Sequence, residues 1–156
     1  MENDPGCAFC RIVADVERAA TICEEPVAVP DAHVVLADAM SVAFLDRRPV
    51  FPGHTLLVPR AHVASLDELH ADLAGPLFLN ARLLSLAMER ALGAEGAFVA
   101  LNNRVSQSVP HLHIHVVPRR RKDGLRGFFW PRTEYTDEAA AVDVRDRLRA
   151  AVADLR

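Results

Sequence analysis

Short apolar runs bounded by turn residues recur along the chain and predict five β-strands. The first two predicted strands flank a turn at residues 37–39, which is typical of a hairpin. A loop at residues 49–53, which contains proline and glycine, precedes the third strand. The five strands are expected at residues 34–36, 42–45, 55–58, 97–101 and 111–117.

A second pattern, in which apolar residues recur three and four positions apart, predicts helices. Its longest run lies between Leu69 and Leu92, and Gly93 is expected to end that helix. Pro76 lacks an N–H and clashes with the preceding turn, so the helix is expected to begin near Ala74 or to kink there. The apolar face of the helix comprises Leu73, Leu77, Ala81, Leu84, Met88 and Ala91.

Two further helices complete the predicted architecture. A short helix is expected near residues 9–13, and Asp137 can cap a C-terminal helix. Strands in a meander with helices set apart predict an α+β fold whose sheet is mainly antiparallel. The apolar face of the C-terminal helix comprises Val144, Leu148, Ala151, Val152 and Leu155.

The composition is that of a soluble globular protein. The chain has 156 residues, of which 51% are hydrophobic and 25% charged, and this suits one domain with a substantial core. A formal net charge of −3 argues against binding to nucleic acid or to an anionic membrane surface. No apolar run approaches the roughly 18 to 20 residues that cross a bilayer. The acidic N-terminus lacks a secretory signal, so a cytoplasmic location without membrane partners is expected.

The fifth predicted strand alternates histidine with apolar residues. With a period of two, His111, His113 and His115 share one face, and the apolar residues between them face the core. Neighbouring imidazoles on that face are about 6.6 Å apart, so they can converge on one metal ion or one phosphate oxygen. The three histidines therefore either bind a metal ion or form a site at which an imidazole attacks phosphorus.

The residues just before this strand favour chemistry at phosphorus. They are small neutral side chains of the kind that hold phosphate oxygens and ribose hydroxyls, and carboxylates are missing among them. No catalytic metal is required, because an imidazole with its ordinary pKa of about 6.5 is largely unprotonated near pH 7 and can attack directly. The side chains concerned are Asn102, Asn103, Ser106, Gln107 and Ser108.

Residues 106–119 resemble the signature of the histidine triad (HIT) superfamily of nucleotide hydrolases and transferases. Residues 7–13, 43–46 and 52–62 are similar to earlier segments of that family and occur in the expected order. The stretch from Asn103 to Gln107 is shorter than the usual family loop, and Ser106 stands where the family commonly has glycine. A phosphate loop of different shape is therefore expected.

The resemblance implies a single HIT domain over residues 1–156, with a core at residues 7–119 and a C-terminal loop and helix at residues 120–156. Its fold would be a five-stranded antiparallel sheet with a long helix and a C-terminal helix. Two protomers would pair into a homodimer by joining helices and sheets. In that family the middle histidine is the nucleophile, which implies His113, and the last one, here His115, contacts a phosphate oxygen.

The resemblance also implies a site for a purine nucleotide. Asp46 would accept hydrogen bonds from the ribose hydroxyls. Asn102, Gln107 and Ser108 would line the phosphate and leaving-group side, where Gln107 and Ser108 would assist catalysis. The other nucleotide-binding residues would be Phe9, Ile12, Phe44 and Leu45, together with His113 and His115.

The expected reaction is hydrolysis of purine nucleoside phosphoramidates or dinucleoside polyphosphates through a covalent nucleotidyl-histidine, with an AMP-like product. One alternative is a non-catalytic, zinc-containing nucleotide-binding dimer with a regulatory role. The other is a metalloenzyme that uses the histidine triad as its ligand set.

The Cys7-x-x-Cys10 pair by itself is either a redox pair or half of a zinc site, and no βαβ pattern surrounds it to favour redox chemistry. Tetrahedral zinc needs four ligands, and the chain has only three cysteines, so histidines must complete a zinc site. Bacterial family members with this pair bind a structural zinc ion, and the resemblance implies His62 and His111 as the other two ligands. An ideal strand points His111 the same way as His113, but its place directly after Pro110 could let it turn aside.

The other histidines and the third cysteine are given structural roles. His54 is expected to form hydrogen bonds in a turn, His33 and His70 to lie at the surface, and Cys23 to be a small buried residue. The basic and aromatic stretch at residues 119–132 is either a solvated loop anchored in the core or a segment that reaches an active site and favours a polyphosphate.

Overall fold

The computed structural model describes residues 4–22, 33–125 and 135–154. The chain divides into two compact units, Met1–Asp123 and Gly124–Arg156. The second unit contains one helix, α3 (Glu138–Asp154), among its described residues. The elements of the first unit are α1 (Ala8–Ile22), β1 (Val34–Ala37), β2 (Ser41–Leu45), β3 (Thr55–Pro59), a 3-10 turn (Leu66–Glu68), α2 (Ala71–Leu92), β4 (Gly96–Ala100) and β5 (Ile114–Arg119).

The five strands form one antiparallel sheet in the order β1-β2-β3-β5-β4. Strand β5 lies between β3 and β4, so that His115 is paired with Leu56 on one side and with Ala100 on the other. The α+β class and the five-stranded antiparallel sheet expected from the sequence are therefore confirmed.

The two faces of the sheet carry separate hydrophobic clusters. The cluster on the α2 side includes Leu112, Ile114 and Val116, which are the apolar residues that alternate with the histidines. Their packing confirms that one face of the histidine segment is core. The cluster on the α1 side combines sheet residues such as Phe44 with helix residues such as Val13. The histidines lie on this second face, so α1 covers the part of the sheet that carries them.

Helix α2 begins earlier than the sequence pattern predicts. It starts at Ala71, where the side chain of His70 accepts a hydrogen bond from the Asp72 amide, and it contains Pro76. The expected start near Ala74 is therefore wrong, because the cap at His70 and the buried face outweigh the hydrogen bond that proline cannot donate. Gly93 ends the helix in the left-handed conformation, with φ of 63°, as predicted.

Helix α1 is longer than the predicted segment at residues 9–13. Phe9, Val13 and Val16 are all buried, so the apolar spacing that forms the helix continues beyond Val13. Helix α3 has the predicted cap, since Asp137 accepts a hydrogen bond from the Ala140 amide at 2.7 Å.

Some sequence expectations concern residues outside the described ranges. These are Cys23, Leu155 and residues 126–132 of the basic and aromatic stretch. Within the described ranges, the helices are too short or too polar to cross a membrane.

Candidate active site

Two imidazoles meet where β3 and β5 lie side by side. His54 immediately precedes β3, and its Nε2 lies 3.0 Å from Nδ1 of His115 in β5. The pairing of Leu56 with His115 explains this contact, because His54 and Leu56 are two residues apart and share a face of the sheet. The ring of His113 packs against that of His115, with centroids 5.0 Å apart.

The backbone decides which nitrogen of His113 carries the proton. Its Nδ1 lies 2.7 Å from the carbonyl oxygen of His111. A carbonyl oxygen can only accept a hydrogen bond, so a neutral His113 donates through Nδ1 and keeps a lone pair on Nε2. A lone pair of this kind is what a nucleophilic imidazole needs.

A second backbone group orders the protons of His54 and His115. The Val50 amide donates to Nδ1 of His54 at 3.3 Å, which leaves the proton of a neutral His54 on Nε2. That Nε2 then donates to Nδ1 of His115, so His115 carries its own proton on Nε2. Asp46 Oδ2 lies 3.5 Å from Nδ1 of His54, which is longer than the amide contact.

Both members of this pair are neutral near pH 7. Burial lowers the pKa of His54 below its ordinary value, and the neighbouring Asp46 only partly offsets this effect. The pKa of His115 is lowered to about 4, first by burial and then by repulsion from His113 and His54. The neutral N–H of His115 is therefore a hydrogen-bond donor without a charge.

His113 and His115 border a cavity of about 910 Å³, near the upper end of the range for small-molecule sites. Phe9 forms part of its wall, and its ring packs edge-on against Phe44 at 5.4 Å and against His113 at 5.3 Å. The cavity is lined by Ala8, Phe9, Arg11, Ile12, Asp15, Phe44, Leu45, Asp46, Arg47, Arg48, Leu56, Ser108, Val109, His113 and His115.

Eight of the ten residues expected in the nucleotide site are among these lining residues; Asn102 and Gln107 are not. Asn102 is exposed to solvent. The amide of Gln107 is engaged by backbone, since it donates to the carbonyl of Ala64 at 2.7 Å and accepts from the amide of Arg104 at 3.0 Å. Gln107 therefore holds the loop in front of β5 against the segment that follows β3.

Sequence reasoning missed four charged lining residues and the contact of His54 with His115. Arg47 and Arg48 directly follow Asp46, so their adjacency to a predicted site residue was the signal available. Arg11 and Asp15 follow Phe9 on α1, and the full length of that helix was not predicted. For His54 the pairing of β3 with β5 was needed, which the local pattern does not specify.

The loop before the triad contains two non-glycine residues in the left-handed region, Arg104 with φ of 65° and Ser106 with φ of 59°. This conformation explains why glycine suits the position of Ser106, because a side chain there costs about 1 to 2 kcal/mol. Asn103 anchors the loop by accepting a hydrogen bond from the Leu66 amide at 2.8 Å, and Arg104 forms an ion pair with Asp67.

A second cluster of four side chains, Cys7, Cys10, His62 and His111, lies on the α1 side of the sheet. The Sγ of Cys10 is 3.2 Å from Nδ1 of His62 and 3.5 Å from Nδ1 of His111, and the Sγ of Cys7 is also 3.5 Å from Nδ1 of His111. Tetrahedral zinc, with its usual bond lengths, would separate sulfur and nitrogen ligands by about 3.5 Å. These four residues, here termed the metal cluster, therefore have a spacing that fits a zinc ion.

The surroundings of His111 also suit a metal ligand. Its Nε2 donates to the carbonyl oxygen of Pro59 at 2.9 Å, which leaves the lone pair of Nδ1 directed to the cysteines. Its pKa is lowered to about 4, chiefly by burial, so the ring is neutral as a ligand must be. Burial raises the pKa of Cys10 to about 11, because it disfavours the charged thiolate. A bound cation would offset this penalty by stabilising the thiolate.

His111 lies outside β5, and the predicted strand start at residue 111 is therefore wrong. The strand begins at Ile114. Before it, the amide of His111 donates to the carbonyl of Val109 at 2.8 Å, and the amide of Leu112 donates to that of Val63 at 2.6 Å. These two backbone hydrogen bonds replace strand pairing at His111 and Leu112. The ring of His111 therefore lies in the metal cluster, whereas that of His113 borders the cavity.

Comparison with known proteins identifies the family. The HIT domain family matches residues 27–122 of this chain. The chain belongs to the HIT domain family. An uncharacterized HIT-like protein of Saccharolobus solfataricus is 33% identical over 135 residues, which cover 85% of this chain and 88% of that protein.

Two relatives have named activities. The adenosine 5'-monophosphoramidase hnt1 of Schizosaccharomyces pombe is 29% identical over 80% of this chain and 83% of that protein. The bifunctional bis(5'-adenosyl)-triphosphatase/adenylylsulfatase of Arabidopsis thaliana is 32% identical over 63% of this chain, and the match spans only 56% of that longer protein. The HIT relatives of this chain thus include nucleotide hydrolases.

A solved structure of a zinc-bound relative has the same fold. A zinc-bound histidine triad family protein from Mycobacterium smegmatis superposes with a TM-score of 0.65 and 29% identity, over 96% of this chain and 95% of that one. The fold of the present chain is thus a HIT fold, and the metal cluster described above fits the kind of ion that this relative binds.

Ser106→Gly is expected to raise the free energy of unfolding by up to about 1 kcal/mol, because relief of the left-handed strain exceeds the extra chain entropy of glycine. Urea denaturation measures this change. The matched control is Ser85→Gly within α2, where the same substitution should lower stability by about 0.5 kcal/mol, since serine is already a poorer helix former than alanine. A loss of stability in Ser106→Gly equal to that of the control would show that the loop carries no such strain.

Proposed function

We propose that this protein hydrolyses purine nucleotides through a covalent nucleotidyl-histidine on His113. The observation that carries this proposal is the hydrogen bond from Nδ1 of His113 to the carbonyl oxygen of His111, at 2.7 Å. It leaves Nε2 of a cavity-lining imidazole free to attack. The activities of the two named HIT relatives support this class of reaction.

The lining of the cavity suits the parts of a nucleotide. Phe9, Ile12, Phe44 and Leu45 offer an apolar surface for the purine. Asp46, with one carboxylate oxygen on the Arg48 amide at 2.8 Å, accepts from the ribose hydroxyls. The phosphate would then lie near Ser108, His113 and His115.

The reaction has two displacements. In the first, Nε2 of His113 forms a bond to the α-phosphorus, and the leaving group departs with the electron pair of the broken bond and, where it is an amine, takes up a proton from solvent. The N–H of His115 and the hydroxyl of Ser108 stabilise charge on the phosphate oxygens. In the second, water attacks the same phosphorus and gives up a proton to solvent, the bond to His113 breaks with its electron pair returning to Nε2, and an AMP-like product is released. Gln107 contributes by holding the loop that presents Ser108.

The leaving group is an amine or a polyphosphate. Cleavage of purine nucleoside phosphoramidates and of dinucleoside polyphosphates uses the same nucleophile, so the triad does not distinguish them. Arg47 and Arg48 line the cavity and would attract the additional negative charge of a polyphosphate.

We further propose that the metal cluster holds one structural zinc ion. Two cysteines and two histidines whose ligand atoms all lie within 4.8 Å of one another are a donor set that zinc prefers. When bound, zinc would tie the start of α1 to the segments around His62 and His111. The hydrolysis itself requires no catalytic metal in this proposal.

We also propose a homodimer formed through α2. The side of this helix that faces away from the sheet carries large apolar side chains, which is unusual for a surface that remains in water. Leu79 is 63% exposed and Leu83 is 51% exposed. The apolar surface stripe consists of Phe78, Leu79, Leu83 and Leu86.

His113→Ala is expected to abolish turnover and to retain nucleotide binding, because it removes the attacking nitrogen and leaves the purine surface. Steady-state assays with an adenosine phosphoramidate and a diadenosine polyphosphate measure turnover, and calorimetry with AMP measures binding. The exposed His33→Ala serves as the control and should behave as the wild type.

The covalent mechanism also has a stereochemical test in the wild-type protein. Two displacements should retain configuration at a chiral α-phosphorothioate. Net inversion, with no labelled protein under rapid quench, would contradict the covalent mechanism.

Cys7→Ser combined with Cys10→Ser is expected to remove bound zinc and to lower the Tm, since an ion that binds only the folded state adds its binding free energy to stability. Atomic absorption measures the zinc content, and calorimetry measures the Tm. A wild-type protein purified with zinc in the medium that contains none, and a double variant that melts at the same temperature, would disprove the zinc site.

Leu79→Glu combined with Leu83→Glu is expected to convert dimer to monomer, because charges on the apolar stripe oppose its burial between two copies. Light scattering after gel filtration measures the mass. Val35→Glu on β1, which is 50% exposed, is the matched control and should remain dimeric. A wild-type protein that elutes as a monomer would exclude this interface.

A further inference from the structure

His111 takes part in both the metal cluster and the candidate active site. Its ring Nδ1 lies within 3.5 Å of the sulfur atoms of Cys7 and Cys10. Its backbone carbonyl oxygen accepts the hydrogen bond from Nδ1 of His113. We propose that His111 is a positioning residue, through which the occupied metal cluster fixes the orientation of the nucleophile His113. This inference rests on the proposed function of His113 and on the proposed zinc site.

The ring of His111 anchors the backbone that holds His113, together with the hydrogen bonds from the His111 and Leu112 amides. Residues 111–113 precede β5, so the carbonyl of His111 is outside the regular strand. Pro110 has no N–H with which to fix the chain before it. The fully buried ring of His111 is held at one nitrogen by the carbonyl of Pro59 and faces the cysteines with the other. Fixing both nitrogens fixes the ring, and with it the carbonyl that sets the proton of His113.

Helix α1 provides a second connection between the metal cluster and the candidate active site. Cys7 and Cys10 lie at its start, with Phe9 between them. The ring of Phe9 packs edge-on against His111 at 6.0 Å and against His113 at 5.3 Å, and it also lines the cavity. Metal bonds to the two cysteines would therefore hold one wall of the cavity against the nucleophile.

A ligand that does not touch the active site can separate metal binding from other effects. His62 lies next to Cys10 and His111 and is absent from the cavity lining. His62→Ala should lose zinc while His111, Phe9 and His113 are unchanged. His62→Cys supplies a thiolate in place of the imidazole and should restore zinc, because three cysteines and one histidine are also a common zinc set.

The experiment compares these two variants with the wild type and with Leu84→Ala. Leu84 is buried on the α2 side of the sheet and belongs neither to the cavity lining nor to the metal cluster, so its truncation lowers stability without removing a side chain from either. Three quantities are measured well below every Tm: zinc content, the single-turnover rate of nucleotidyl transfer to His113, and the NMR signal of the His113 Nδ1–H. Where His62→Ala does not fold, wild-type protein stripped by a chelator and reloaded with zinc alone takes its place.

We expect the zinc-free protein to transfer about 10- to 100-fold more slowly, because a displacement of about 1 Å at a reacting group costs on that order. Its His113 Nδ1–H signal should shift or broaden, and His62→Cys should recover both properties. Leu84→Ala should keep both despite its lower Tm.

Two results would overturn the inference. One is a zinc-free protein that keeps the wild-type transfer rate and an unchanged Nδ1–H signal. The other is an equal loss in Leu84→Ala, which would assign the effect to general stability. Failure of the proposed function is a separate result: the wild type would transfer no nucleotide to His113, while the Nδ1–H signal would still report whether the metal cluster orients that ring.

Discussion

A carbonyl oxygen can accept a hydrogen bond and cannot donate one, and the candidate active site depends on that restriction. The contact between the His111 carbonyl and Nδ1 of His113 leaves one tautomer for a neutral ring. The Val50 amide can only donate, so a neutral His54 carries its proton on Nε2. That N–H donates to Nδ1 of His115, which therefore carries its own proton on Nε2. Two adjacent imidazoles thereby receive different tasks: one presents a lone pair and the other an N–H.

Such an arrangement needs a rigid frame, and the two sides of the sheet supply it. The apolar residues of β5 pack against α2 on one side, so the register that brings His115 beside Leu56 is fixed by burial. On the other side, α1 covers the histidines and adds Phe9 to the wall of the cavity. The period of two lets one short segment serve the core and the site at once.

The sequence predicts much of this frame because the signals concerned are local. The spacing of Leu77 and Leu84 identifies α2, and the alternation around Ile114 identifies the core face of the histidine segment. The Cys7-x-x-Cys10 spacing and the family resemblance together predict the four residues that lie close to one another in the metal cluster. Each of these inferences uses residues that are neighbours in the chain or matches a known motif.

The features that were not predicted depend on contacts between distant segments. The start of β5 is set by Val63, whose carbonyl takes the Leu112 amide that a longer strand would have used in its ladder. The contact of His54 with His115 requires the pairing of β3 with β5. The amide of Gln107 is bound by Ala64, which lies far away in sequence. Periodicity states which way a side chain faces, but it does not state what lies opposite.

The charges of the site are divided between two sets of residues. Burial keeps His54 and His115 neutral near pH 7, so neither imidazole adds positive charge to the site. Positive charge at the cavity therefore comes from the arginines that line it, Arg11, Arg47 and Arg48, against the carboxylates of Asp15 and Asp46. In the proposed reaction, an amine and a polyphosphate leaving group differ mainly in charge, and an uncharged hydrogen-bond donor such as His115 does not distinguish them on that basis. In the proposed reaction, selection between the two leaving groups would depend on the arginine side chains and on the loop that carries Arg47 and Arg48, and the same histidines would serve either substrate.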